Sequence, residues 1–302
     1  MNELVPTNQT MNRIDIDTKA ITPTQKTIKR LLQNRTAMMG LFGVVFFIFL
    51  AIFAPIIAPY EIDIIDLGVT LESPSAQHLF GTDHLGRDVL SRIIFGTRIS
   101  LMVGVVSVGI ACVVGIPLGL IAGYVGGIVD SIIVLVLDVL LAFPTILLAL
   151  MAVSVLGPDL QNSMIAVGIS SMPIFAKLAR GSALSVKQND FILVAISLGQ
   201  RVPRIIWEHI LPNSLAPLIV QATLRIGTAI LTMATLSFLG LGAPPPIPEW
   251  GTLVSDGRAF LQLAPHISLF PGLAIMLCIL AFSLFGDGLN DALNPRISRD
   301  PK

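Results

Sequence analysis

Runs that lack Asp, Glu, Lys and Arg decide what this chain can fold into. Six of them, Thr36–Tyr60, Ile99–Val129, Ser131–Pro158, Leu160–Ala176, Ser214–Gly240 and Ala259–Gly286, contain only Asp138 and Arg225 as charged residues. Each approaches or exceeds the about 17–25 residues that carry a helix across a bilayer. They are continuously apolar and lack period-two alternation, so they read as helices and not as barrel strands. With 54% hydrophobic and 13% charged residues and a mean hydropathy of +0.83, the composition fits lipid as the solvent. The zero net charge offers nothing to nucleic acid. Cys112 and Cys278 both lie in apolar runs and form neither a disulfide framework nor a metal-ligand spacing.

The expected fold class is an all-α integral membrane protein with six transmembrane helices. A polar arm occupies residues 1–37 and the first span 38–59, followed by an outer loop over 60–98. Further spans follow at about 99–123, 131–156, 160–178, 214–240 and 266–286, with a half-polar loop at 180–213 and a tail at 288–302. The first apolar run is too long for a signal-peptide core. Six crossings put both termini on one side. Fourteen Lys and Arg lie on that side and four, Arg87, Arg92, Arg98 and Arg258, on the other, which predicts cytoplasmic termini. On that orientation the NQT at Asn8 and the NRT at Asn34 are chance matches to the glycosylation pattern.

Within the outer loop, Val89, Leu90, Ile93 and Ile94 recur at helical spacing opposite Arg87, Asp88 and Arg92. That pattern predicts a helix lying along the interface, capped by Thr82 or Asp83. The second outer loop, 241–266, is stiffened by prolines, and Trp250 is expected at headgroup depth.

No catalytic motif is present: there is no GxxxxGK[ST], no HExxH and no GxSxG. The four histidines fall on both sides of the membrane and build no intramembrane ligand cluster. Energy for any uphill work must therefore come from a partner or an ion gradient. Asp138 and Arg225 are the two intramembrane charges. Either they neutralise each other or reach water inside a bundle, or Arg225 lines a pathway and meets an anionic group of the cargo. As a coupling apparatus for an ion gradient they are thin, so an autonomous secondary transporter or channel is the alternative reading. Gly115, Gly119 and Gly123 form a GxxxGxxxG face for close helix packing within the protein, and Pro144 loosens the third span.

The stretch DFILVAISLGQRVPRIIWEHILPN at 190–213 is half-polar between two spans. Asp190 is the expected N-cap of a first short helix that Gly199 ends. Pro203 opens a second helix, with Ile205, Ile206, Ile210 and Leu211 inward and Pro212-Asn213 as its stop. The stretch is either an interfacial loop or a docking surface for a cytoplasmic subunit.

This stretch resembles the cytoplasmic loop of transmembrane subunits of ATP-binding-cassette importers, whose pattern is Glu-Ala-Ala, three residues, Gly, about ten residues, then Ile-Leu-Pro. Leu193-Val194-Ala195, Gly199 and Ile210-Leu211-Pro212 fall on those positions. FGTDHLGRDVLSRIIFGTRISLMVG, LSFLGLGAPPPIPEWGTLVSDGR and LFGDGLNDALNPR are similar to the dipeptide/oligopeptide/nickel permease family, specifically its second (C-type) permease subunit, over about Leu32–Arg296. ARGSALSVKQNDFI and the APH at 264–266 resemble the glutathione permeases of that group.

The resemblance implies a type I importer (MetI-like) permease fold, with the transmembrane domain over 97–287, in a bacterial inner membrane. It implies a second homologous permease subunit as heterodimer partner, two cytoplasmic ATP-binding subunits and an extracytoplasmic substrate-binding protein. ATP and Mg would be used by the partner ATPases, and this chain would bind no cofactor. The loop is then the ATPase-coupling element. Where the family has Glu-Ala, this chain has Leu193-Val194, so the leading contact is more apolar or passes to Asp190 or Glu208. Dipeptide, oligopeptide, glutathione and nickel or a metal chelate remain the substrate classes.

Overall fold

The computed structural model describes residues 23–293. Asn8, Arg13, Lys19, Arg296, Arg299 and Lys302, with most of the expected arm and tail, lie outside the described residues. All regular structure among the described residues is helical apart from one isolated bridge between Thr82 and Asp88. Among the described residues five helices are long and apolar enough to cross a membrane, six when a pair bent by 93° is counted as one span.

After a short helix α1 (Pro23–Gln33), the first of these is α2 (Arg35–Ile57). Asn34 caps it by accepting from the backbone N–H groups of Thr36 and Ala37. The next, α3 (Val89–Val125), corrects the expected separate interfacial helix: the pieces before and after Ile99 are one helix of 37 residues, about 55 Å long. Its cap is Asp88, whose carboxylate accepts from Ser91 N–H at 2.8 Å, rather than Thr82 or Asp83. Thr82 instead donates to the Val69 carbonyl, and Asp83 is engaged by two arginines.

The third span is broken. Helices α4 (Gly127–Leu141) and α5 (Thr145–Leu156) meet at 93° across the turn that holds Pro144. Proline has no N–H for the ladder and disfavours helical geometry at Phe143, so the apolar run turns rather than merely loosening.

Helix α6 (Leu160–Lys187) packs along α3. A Cβ on Gly115, Gly119 or Gly123 would come within 2.6, 2.1 and 2.6 Å of the carbonyls of Met172, Ala176 and Arg180. The glycine series therefore sets the backbone separation of α3 and α6 inside this chain, where dispersion rather than water release holds helices together. Ser107 adds a hydroxyl bond to the Met164 carbonyl at 3.0 Å. At the far end of α3, Lys187 donates to the Tyr124 carbonyl at 2.6 Å. Arg180 grips Asp130 through two bonds of 2.5 and 2.6 Å, tying α4 to α6.

The short helices α7 (Asp190–Ser197) and α8 (Val202–Ile205) lead into α9 (Leu211–Phe238). Beyond it come α10 (Trp250–Gly257) and the last long helix, α11 (His266–Leu293). Trp250 is packed inside the protein. It is fully buried, its ring edge-on to Phe47 with centroids 5.8 Å apart, and its indole N–H donates to the Ile93 carbonyl at 3.0 Å. That bond supplies the partner a buried indole needs.

Candidate functional site

Two polar assemblies among the described residues lie near opposite ends of α3. Residues 61–98 surround its start, whereas Leu120 and Tyr124 near its end share a core with Ile192, Ala195, Ile205 and Ile210.

In the 190–213 loop, α7 is apolar on more than one face. Ile192 is fully buried and Ala195 nearly so, while Leu193 and Val194 are 59% and 58% exposed. Asp190 stands in the first turn, where its charge complements the helix dipole, and Asn189 holds the cap position without a side-chain cap bond. Gly199 has φ +74°. Its N–H meets the Ile196 carbonyl and the Gln200 N–H meets that of Ala195, a Schellman closure that needs the left-handed conformation. A Cβ there would touch nothing within 4 Å, so the glycine is required for its backbone alone.

Past Gly199, Pro203 sits in the first turn of α8 as expected. His209 reaches back to the Gln200 side chain at 2.8 Å and locks the two pieces together. Pro212-Asn213 does not stop the second piece. The backbone runs through one widened turn, Ile206–Ile210, straight into α9, with Leu211 N–H bonded to the Ile206 carbonyl. Pro212 cannot donate, and its ring would crowd the carbonyl four residues back. The wider turn relieves that clash, and Asn213 satisfies the His209 carbonyl at 2.6 Å. Ile210 is fully buried, Leu211 half-buried and Pro212 exposed. Glu208, one substitute considered for the missing glutamate, is paired with Arg204 at 2.8 Å. The exposed side of the loop therefore presents Leu193, Val194, Leu198 and Trp207, the last two 76% and 53% exposed.

The intramembrane charges do not neutralise each other. Asp138 pairs with Lys177 of α6. Arg225 of α9 is half-buried and has no side-chain partner among the described residues. Lys177 was legible only as a terminus of the fourth run, because pairing across helices has no sequence spacing to reveal it.

At the opposite end lies a network that periodicity misread. Arg87, Asp88 and Arg92, expected on a solvated face, are 6%, 4% and 3% exposed. Asp83 accepts from Arg87 Nε and from an Arg92 terminal nitrogen, both at 2.7 Å, as well as from the Leu85 and Arg87 backbone. Burial pushes the Asp83 carboxyl up, but the Arg87 N–H and the two guanidiniums outweigh it and hold the group below the usual aspartate range. Nearby Asp256 goes the other way: burial raises it against the pull of Arg92, His84 and Arg87. His78 bonds Asp88 at 2.9 Å. Among the described residues no group of three or more His, Cys, Asp or Glu side chains is placed to hold a metal ion.

Comparison with known proteins then bears on both ends. Residues 115–299 match the model of the binding-protein-dependent transport system inner membrane component, and residues 22–74 that of the N-terminal TM domain of oligopeptide transport permease C. The dipeptide transport system permease protein DppC of Alkalihalophilus pseudofirmus is 49% identical over 92% of this chain and 91% of its own length. The glutathione transport system permease protein GsiD of Pectobacterium atrosepticum is 44% identical over 93% and 94%. A chain from an inward-facing structure of the MetNI methionine ABC transporter superposes with a TM-score of 0.56 at 16% identity, covering 68% of this chain and 97% of that one. That likeness concerns the fold alone.

Proposed function

The chain belongs to the family of binding-protein-dependent transport system inner membrane components, and from that premise we propose that it is one of two permease subunits of an ATP-driven importer of small peptides, glutathione included. It is a multi-pass membrane permease. Its partners in this reading are a second homologous permease, two cytoplasmic ATP-hydrolysing subunits that use the ATP and Mg, and an outer binding protein that delivers cargo. The charge bias supports cytoplasmic termini and a cytoplasmic 190–213 loop.

One observation carries the proposal. Leu193, Val194, Leu198 and Trp207 leave an apolar face uncovered on helices whose other faces, through Ile192, Ala195, Ile205 and Ile210, are seated on α3 and α6. A rigid element with one face bonded to the spans and the other apolar and open is built to pass a push from a docked subunit into α9, with which it is continuous. In this reading Leu193, Val194, Ala195 and Gly199 form the coupling helix and its turn, and Ile210, Leu211 and Pro212 the joint to the span. Leu193 replaces the family's glutamate with an apolar contact. Asp138 and Arg225 belong to the translocation pathway.

The test is co-purification and uptake. The ATPase pair should be retained by the wild-type chain, and Gly199→Asp should abolish ATP-dependent uptake with all spans still inserted. Uptake by this chain alone in ATP-free vesicles would sink the proposal.

A further inference from the structure

Gln221, Arg225, Thr228, Thr232 and Thr235 recur along α9 at spacings of four, three, four and three. On a helix they fall within about 80° of one another. None is buried, whereas Gly227, Ile230, Met233 and Leu236 fill the packed side. Beside the stripe, the open positions Leu224, Leu231 and Phe238 are apolar as lipid or an apolar neighbour requires. Thr223, on the far side, has no polar residue at helical spacing. An ionisable residue within a span faces the bundle interior or a water-filled cavity, so the stripe that holds Arg225 lies on that side.

The chemistry of the stripe is directional. Thr228, Thr232 and Thr235 each donate their hydroxyl proton to their own helix, to the carbonyls of Arg225, Thr228 and Leu231 at 3.0, 2.8 and 2.8 Å. Their oxygens are left with lone pairs to accept. Arg225 supplies the opposite, a fork of donors with no partner among the described residues. Two to three turns before Arg225, at the junction with the 190–213 loop, Pro217 and Asn213 line a cleft of about 430 Å³ together with Lys177, Ser182 and Ser185 of α6. Lys177 is held by Asp138, so its charge is matched. An extended two-residue cargo spans about 7 Å, and Thr228 and Thr232 stand about 4.5 and 10 Å along the axis from Arg225.

We infer that Arg225 selects a carboxylate-bearing cargo inside the pathway, with the threonine oxygens of the stripe accepting the N–H groups of the same molecule. This rests on the permease reading and adds the charge sign of what passes. A cationic metal ion is disfavoured at this point of the pathway.

The test uses the assembled transporter in vesicles and membrane-impermeant thiosulfonate reagents. Thr228→Cys and Thr232→Cys should be labelled above the background of Cys112 and Cys278, and Leu231→Cys should not. At Thr228→Cys the sulfonate-bearing reagent should outpace the trimethylammonium one relative to their rates with a free thiol. Adding Arg225→Gln should cut that preference about tenfold, and Arg225→Lys should keep most of it. In uptake, Arg225→Gln should lower ATP-driven import of L-alanyl-L-alanine or glutathione, and Arg225→Lys should restore it. No labelling on the stripe, or labelling without charge preference, overturns the inference while wild-type ATP-driven uptake leaves the permease reading standing. Absence of that uptake in the wild type overturns both.

Discussion

The two ends of α3 solve opposite problems. Around its start, the buried charges Asp83, Arg87 and Arg92 hold one another and Asp88 caps the helix while bonding His78, although Arg92 Nε keeps no partner and Ile64, Ile65 and Leu67 stay exposed. At its other end, in residues 190–213, apolar side chains are exposed and unanswered, and the one ion pair there, Arg204–Glu208, lies in the open. A cluster that pairs its buried carboxylates with guanidiniums needs no outside surface to hold those charges. A segment that leaves leucines and a tryptophan uncovered is waiting for another surface.

The comparison breaks most readily at Asp83. Asp83→Asn removes the carboxylate between two buried guanidiniums and should cost about 3–5 kcal/mol, read as a large drop in thermal unfolding temperature in detergent. A near-neutral result would mean that the arginines find water and that the outer charge cluster is not self-contained. Ile210→Ala tests the seated side of the inner loop. Emptying a fully buried site there should cost about 2–5 kcal/mol.

Leu193→Asp tests the open side of the same loop. Stability should stay within about 0.5 kcal/mol of wild type, while ATPase retention and ATP-driven uptake fall at least about tenfold. Equal losses of stability in Ile210→Ala and Leu193→Asp would erase the distinction between the two faces.

The smallest effect is expected at Asp256. Its carboxyl is raised by burial, so the ionised form weighs against the fold. Below the ordinary value of 3.8 that penalty is absent, and it grows as pH rises through the raised folded value. Asp256→Asn should therefore raise the unfolding temperature at neutral pH, with the gain vanishing at acid pH. Asp83 has the reverse sign: its contribution is present above 3.8 and lost as pH falls through its lowered folded value.

Much of the candidate site is readable without coordinates. The positions of Leu193, Gly199 and Ile210 follow from local rules: a short apolar helix, a glycine closure and a second amphipathic piece. The inner face of that second piece, Ile205, Ile206 and Ile210, is buried as periodicity requires. Local rules failed where a neighbour changed the balance. Pro212 reads as a stop, yet a widened turn carries the backbone past it. Arg87 and Arg92 read as a solvated face because their partner, Asp83, lies on a loop outside the helical period. The full burial of Trp250 is likewise hidden from local rules, because its acceptor, the Ile93 carbonyl, is 157 residues away.

The sequence by itself determined the all-helical membrane class, the six apolar runs, the glycine face between α3 and α6 and the division of the inner loop at Gly199. Each depends on burial period, chain length or a single residue's allowed backbone, and these are properties of neighbours along the chain. Only the tertiary structure decided which charges are answered. Asp138 pairs with Lys177 and not with Arg225, which has no side-chain partner among the described residues. The reason is physical: an ion pair between helices is set by which of them lie side by side, and that arrangement has no period in the sequence to report it.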